Sequence, residues 1–81
     1  MTYEQWREPI CVMFNRDELR TVSGPSDALI CLMDRWPVMS GLRFIRARSA
    51  CRAALAGRAS AEVARMEFLA AVKEAGLMIG T

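Results

Sequence analysis

The first apolar pattern along the chain has the two-residue period of a β-strand. From residue 10 to residue 14, Ile, Val and Phe alternate with Cys and Met, and residues 15–18 are polar. Strict alternation of β-forming residues predicts a strand, and Pro9 is tolerated at the start of one. The polar segment predicts a four-residue turn, because a tight type I′ turn favours glycine. Residues 19–22 then predict the returning strand of a β-hairpin.

Two helices are predicted after the hairpin, from apolar residues spaced three and four positions apart. The first is expected from about Pro25 to Arg35, since proline suits a first helical turn and Pro37 disfavours helix at the residue before it. The second is expected to begin after Ser40 as the N-cap and to end at Gly57. Their apolar stripes are Ala28, Leu29, Leu32, Met33 and Trp36 in the first helix and Phe44, Ala47, Cys51, Ala54 and Leu55 in the second.

A third helix is predicted between Ser60, as its N-cap, and Gly76. Its main stripe is Ala64, Phe68, Ala71, Val72 and Ala75. The opposite side carries Val63, Met66, Leu69 and Ala70. A helix that is apolar over most of its circumference is usually covered on two sides, so the second cover is expected to be the hairpin or another subunit.

The order of these elements predicts an α+β fold. An N-terminal β-hairpin, with residues 77–79 as a candidate short third strand, is expected to pack against three α-helices. The second and third helices carry alanines at helical spacing and are joined by a short connection, so they are expected to form a close antiparallel pair.

Length and composition restrict the class of protein. The 81 residues (9.1 kDa) are 53% hydrophobic and 25% charged, which predicts a single folded domain spanning residues 1–81 rather than a disordered chain. No apolar run approaches the roughly 20 residues of a membrane span, and the N-terminus lacks the pattern of a signal peptide. We therefore expect a cytoplasmic protein with no membrane partner.

Candidate chemistry is sparse. The chain has no histidine, which removes the commonest proton shuttle of enzymes. Cys11, Cys31 and Cys51 lack the paired spacing of zinc ligands and are expected to be buried, reduced thiols. The sequence predicts no catalytic residue, no metal ligand and no cofactor, and we expect a protein that is not an enzyme.

Charge is distributed unevenly along the chain. The formal net charge is +2, yet residues 35–61 contain six arginines and no acidic residue. Four of these arginines lie on the second predicted helix: Arg43, Arg46, Arg48 and Arg52. Arginine binds phosphate and carboxylate groups through two hydrogen bonds, so the helix is a candidate contact for nucleic acid, another anion or a protein partner. Against nucleic acid, the four side chains do not form one stripe, and no helix-turn-helix, zinc-finger or RNA-binding motif is present. The simpler interpretation is that these arginines form ion pairs with acidic residues of the N-terminal third of the chain, within the molecule or across a dimer.

Methionine and tryptophan are the other candidate contact residues. Six methionines allow two interpretations, core filling, which we favour, or an exposed surface for self-association. Trp36 continues the stripe of the first helix and is expected to anchor it in the core. Trp6 lies in a polar stretch and is expected to be the more exposed of the two, with coverage of the hairpin as the alternative. The candidate interface residues are Trp6, Val63, Met66 and Leu69.

Part of this pattern is similar to a known family. The residues that carry the resemblance are Trp6, Pro9 and Val12 in the hairpin region, Asp27, Ala28, Trp36 and Pro37 around the first helix, Gly41, Ala47, Cys51, Ala54 and Gly57 in the second, and Ala64, Arg65, Phe68, Ala71, Glu74 and Ala75 in the third. Over nearly the whole chain the sequence resembles a family of small alphaproteobacterial proteins, domain of unknown function 982 (DUF982). The resemblance implies a bacterial, cytoplasmic, single-domain protein, and it implies no activity, cofactor or catalytic residue.

These observations favour a non-enzymatic protein-interaction or self-associating module. The expected partner is a second copy, as a homodimer, or another protein. The alternative is nucleic-acid or other anion binding through the arginine-rich second helix.

Overall fold

The computed structural model describes residues 5–80, which form three strands and three helices. Their order is β1 (Ile10–Asn15), β2 (Glu18–Val22), α1 (Pro25–Asp34), α2 (Leu42–Leu55), α3 (Ala61–Glu74) and β3 (Met78–Gly80). The α+β fold is confirmed, with an N-terminal hairpin, a short C-terminal strand and three helices. Among these residues, no helix combines the length and the apolar character that a membrane crossing requires.

The sheet has the strand order β2-β1-β3, and both pairings are antiparallel. The candidate third strand is confirmed, and it begins one residue later than predicted, at Met78. The turn between β1 and β2 is shorter than predicted, because Asn15 already pairs with Glu18. The register shifts between Met13 and Asn15, so the hairpin absorbs its extra residue as a bulge in β1 rather than as a longer loop. The Asn15 Oδ1 atom accepts the backbone N–H of Asp17 at 2.8 Å, which stabilises the tight turn without glycine.

The helix ends follow the sequence signals with one exception. Ser60 caps α3 as predicted, since its Oγ accepts the backbone N–H of Val63 at 3.1 Å. Gly57 has a φ of 80° and ends α2 as predicted. The N–H groups of residues 57 and 58 then bind the last carbonyls of α2 in a Schellman motif. The prediction that Ser40 caps α2 is wrong, because the N-cap is Gly41 at φ 103° and no side chain caps this helix.

The core lies between one face of the sheet and the three helices. Its buried residues are Trp6, Ile10, Val12, Val22, Ala28, Cys31, Leu32, Trp36, Phe44, Ala47, Cys51, Ala54, Ala64, Phe68, Ala71 and Val72. Alanines occupy the buried stripes of both α2 and α3, whose mutual contact is the most extensive between any two elements. This close antiparallel pair was predicted. Leu55 and Met33, placed on apolar stripes by their spacing, are exposed instead.

Aromatic rings fill the centre of the core. Phe68 lies 5.9 Å from Trp6 and 5.4 Å from Trp36 between ring centroids, and Trp36 packs edge-on against Phe14 at 6.0 Å. The predicted anchoring role of Trp36 is therefore confirmed by its burial. The prediction that methionines fill the core is wrong for the residues that the structure describes, none of which is a buried methionine. The centre of the core is occupied by these four aromatic rings instead.

Candidate functional site

The central strand β1 is apolar on both faces, whereas the helices cover only one of them. Ile10 and Val12 face the helices and are buried. Cys11 and Met13 point to the opposite face and are only half-buried. In antiparallel sheets, a solvated face normally alternates with polar side chains. The outer face of this sheet therefore carries more apolar surface than a solvated face requires.

A row of three apolar side chains crosses this outer face. The register pairs Met13 with Leu19 on one side and with Met78 on the other, so the three residues share the face. Leu19 is 55% exposed and Met78 is 67% exposed. We call Leu19, Met13 and Met78 the outer row. It runs perpendicular to the strands across the full width of the sheet, and it is the longest apolar alignment on the described surface that strand pairing fixes.

Sequence reasoning missed the outer row, although a signal was present. Cys11 and Met13 already made the predicted first strand apolar at every position, a pattern typical of strands buried on both faces. The sequence alone did not show on which face of the sheet the helices pack, or that Met78 lies next to Met13.

Strand β2 forms one edge of the sheet and carries a cluster of charges on the helix side. The carboxylate of Glu18 pairs with the guanidinium groups of Arg35 and Arg20, and its Oε2 lies 3.6 Å from the Nε of Arg20. Arg35 follows the last turn of α1, so Glu18 connects the end of that helix to the hairpin. Beside the edge, a shallow groove of about 110 Å³ is lined by Arg20, Thr21, Asp27, Ile30 and Cys31.

The predicted interface residues of α3 do not all face solvent. Val63 and Met66 are exposed, and Met66 is 69% exposed. Leu69 instead packs partly buried against the core. Successive residues in a helix turn by about 100°, which places Leu69 on the other flank of Met66 from Val63. The second apolar side of α3 is therefore narrower than the sequence suggested.

The predicted exposure of Trp6 is wrong, since the side chain is only 4% exposed. Its indole N–H donates to the carbonyl of Ala61 at 2.9 Å, and its backbone N–H donates to the carbonyl of Ser23 at 2.7 Å. On α3, the Nε of Arg65 donates to the carbonyl of Glu8 at 3.0 Å. The polar neighbours of Trp6 suggested solvent, whereas residues 5–9 lie along the start of α3 and direct the indole inward. Trp6 is a core residue, and it does not meet Val63 or Met66 on a shared surface.

Three of the four arginines of α2 are exposed, and the fourth packs against a core residue. Arg43, Arg46 and Arg52 are exposed and Arg48 is half-buried, with its guanidinium carbon 5.4 Å from the centre of the Phe44 ring. In the described part of the chain, the ion pairs are those of Glu18 and of Glu8, and none of them includes these four arginines. The predicted pairing with the acidic N-terminal third within the molecule is therefore not seen among residues 5–80.

The thiols are placed for packing. Cys31 and Cys51 are buried as predicted, whereas Cys11 is half-buried with its Sγ 3.7 Å from the Oγ1 of Thr21. Burial raises the pKa of Cys51 to about 12 and also raises the pKa of Cys31. Both thiols therefore stay protonated near neutral pH and are weak nucleophiles. Within residues 5–80, no three Cys, Asp or Glu side chains are grouped to hold a metal ion.

Comparison with known families gives one match. The sequence model of the family described as a protein of unknown function, DUF982, matches residues 8–79. The chain belongs to the DUF982 family. No curated protein and no solved structure matched this chain.

The segment that matches DUF982 contains many of the residues that build the fold. Trp36 and Phe68 belong to the aromatic core, Cys51 is fully buried between helices, and Gly57 ends α2. Arg65 holds the segment that carries Trp6. In this DUF982 protein, the matched segment also contains the outer row, since Met13, Leu19 and Met78 all lie within residues 8–79.

Proposed function

We propose that this DUF982 protein is a non-enzymatic protein-interaction module that self-associates through its sheet. The observation that carries the proposal is the outer row, in which Leu19, Met13 and Met78 align across a sheet face that no described helix covers. Contiguous apolar surface of this kind is typical of interaction sites, whereas single exposed apolar residues are ordinary. Covering the exposed part of Leu19 would contribute roughly 1 kcal/mol in each copy.

Sedimentation over a wide range of protein concentration tests this proposal. We expect a reversible shift from monomer to dimer as the concentration rises. Leu19→Lys should weaken the association, because it places a charge in the outer row on the exposed edge strand β2. Met66→Lys is the control, since Met66 on α3 is apolar and even more exposed than Leu19. A chain that remains monomeric at the highest concentration would refute self-association. A loss of dimer in Met66→Lys alone would instead assign the contact to α3.

A second candidate function is anion binding through α2, nucleic acid included. The observation in its favour is that Arg43, Arg46, Arg48 and Arg52 form no ion pair among residues 5–80. Fluorescence anisotropy with labelled DNA and RNA over a range of salt concentrations tests it, since phosphate contacts give affinity that falls steeply with salt. An Arg46→Glu, Arg52→Glu double variant should abolish such binding. Absence of binding by the natural protein at low salt would eliminate this function.

A further inference from the structure

We propose that two copies of this chain pair their β2 strands antiparallel, in a register centred on Leu19, to form one six-stranded sheet. The inference rests on the proposed function, because it names the partner and the contact of the self-association. Strand β2 is an outer strand of the sheet, with β1 on one side and no described strand on the other. The outward backbone groups of such an edge are free to pair with a further strand.

Symmetry limits the register to a few choices. When two identical sheets join about a two-fold axis with their helices on the same side, one residue of β2 faces its own copy at the centre. If Arg20 were central, two guanidinium groups would oppose each other. If Thr21 were central, Arg20 would face the partner's Val22 and Glu18 would lie beyond the paired residues. If Leu19 is central, Glu18 of each copy faces the partner's Arg20.

The register centred on Leu19 therefore creates two identical pairs of opposite charge across the contact. Directly opposed charges of opposite sign stabilise strand pairing, and charges of like sign weaken it. Glu18 and Arg20 lie two residues apart on the same face of β2, so this complementarity is a property of the strand itself. Among the three registers, it is the one that satisfies both charges.

The same register extends the apolar surface on the outer face. Leu19 would face the partner's Leu19, and the two outer rows would join into one line of six apolar side chains across six strands. On the helix side, Ile30 of α1 lines the groove next to Arg20 and is half exposed. The groove lies beside the proposed contact, so the partner would also shield Ile30. Pairing of the two β2 strands would thus bury exposed apolar surface of Leu19 on the outer face and of Ile30 on the helix side.

Charge reversal tests the register directly. Glu18→Arg should weaken the dimer about tenfold, since each copy would then set like charges against its partner twice. Arg20→Glu should weaken it by a similar factor. The double variant Glu18→Arg, Arg20→Glu should recover the natural affinity, because it restores both pairs with their signs exchanged. An equimolar mixture of the two single variants should form a mixed dimer more readily than either variant forms its own.

A control is needed because Glu18 also pairs within its own chain. Arg35→Gln removes the ion pair between α1 and Glu18 without changing the edge, so it should leave the dimer unaffected. Circular dichroism melting of each variant verifies that the monomer is folded. If the natural chain dimerises but neither single variant weakens the dimer and the mixture shows no preference, the register is wrong while the proposed self-association stands. If the natural chain is monomeric throughout, both fail.

Discussion

The N-terminal segment is expected to be an integral part of the core, and Trp6 is the residue that tests this. Its indole is buried against Phe68 and donates a hydrogen bond to Ala61. Truncating a buried tryptophan costs about 3–5 kcal/mol. A domain of this length has about 4–12 kcal/mol of total stability. Trp6→Ala should therefore remove a large share of it, and urea unfolding followed by circular dichroism measures the loss.

The contributions of ring packing and of the indole hydrogen bond can be separated with a more conservative substitution. Trp6→Phe keeps a ring next to Phe68 but removes the N–H that binds the carbonyl of Ala61. Trp36→Phe is the matched control, because Trp36 is similarly buried and its indole makes no hydrogen bond within residues 5–80. Loss of ring volume should cost both variants about 1–2 kcal/mol. Trp6→Phe should cost about 1 kcal/mol more, the usual net value of one hydrogen bond.

Two outcomes would refute this reasoning. If Trp6→Ala lowered the free energy of unfolding by less than about 1 kcal/mol, residues 5–9 would contribute little to the core. If Trp6→Phe cost no more than Trp36→Phe, the contact with Ala61 would not stabilise the fold.

Further predictions concern a buried thiol and two glycines. Because burial raises the pKa of Cys51 from 9.0 to about 12, the unfolded chain loses this proton at lower pH than the folded chain. Between about pH 9 and pH 12, the free energy of unfolding of the natural protein should fall by about 1.4 kcal/mol per pH unit relative to that of Cys51→Ala. Urea unfolding at several pH values measures both free energies. An equal dependence on pH in the two proteins would contradict this prediction. Gly57 has a φ of 80° and open space around it, so Gly57→Ala should lower the free energy of unfolding by about 1 kcal/mol. Gly57→Asn should lower it less, because asparagine tolerates the left-handed conformation better. Equal losses in thermal unfolding would disprove a purely conformational penalty. Gly41→Ala should cost more, because a φ of 103° with a ψ of 151° is a conformation that alanine rarely adopts. The new Cβ would lie 2.9 Å from the Oε1 of Glu74, but this flexible side-chain end can move aside. A double-mutant cycle with Glu74→Ala should therefore be nearly additive, and strong non-additivity would contradict a purely conformational cost.

Most of the fold could be predicted from local sequence signals. The period-two pattern of residues 10–14, the Ser60 cap and the glycine at position 57 each act within a few residues, and each produced the expected element. The shorter hairpin turn was not predictable from the absence of glycine, because an Asn15 side chain and a bulge stabilise it instead.

The surface could be predicted only in part. Helical periodicity placed Val63 and Met66 on the side of α3 opposite its main stripe, but it did not show that this side is exposed. The burial of Trp6 depends on Ala61, a residue distant in sequence, so its polar neighbours were misleading. The outer row likewise needs the pairing of Met78 with Met13, which brings together strands from opposite ends of the chain. Properties that depend on such distant contacts cannot be obtained from local patterns alone.

The distribution of near and distant contacts also implies an order of folding. α2 and α3 are neighbours in sequence, so their alanine-rich contact closes only a short loop. Trp6 and Ala61, which form a hydrogen bond, are 55 residues apart in sequence, and the paired strands β1 and β3 are more than 60 residues apart. Contacts between distant residues form slowly because long loops must close first. The α2–α3 pair is therefore expected to form early, with substitutions there slowing refolding, whereas substitutions in β3 should mainly accelerate unfolding.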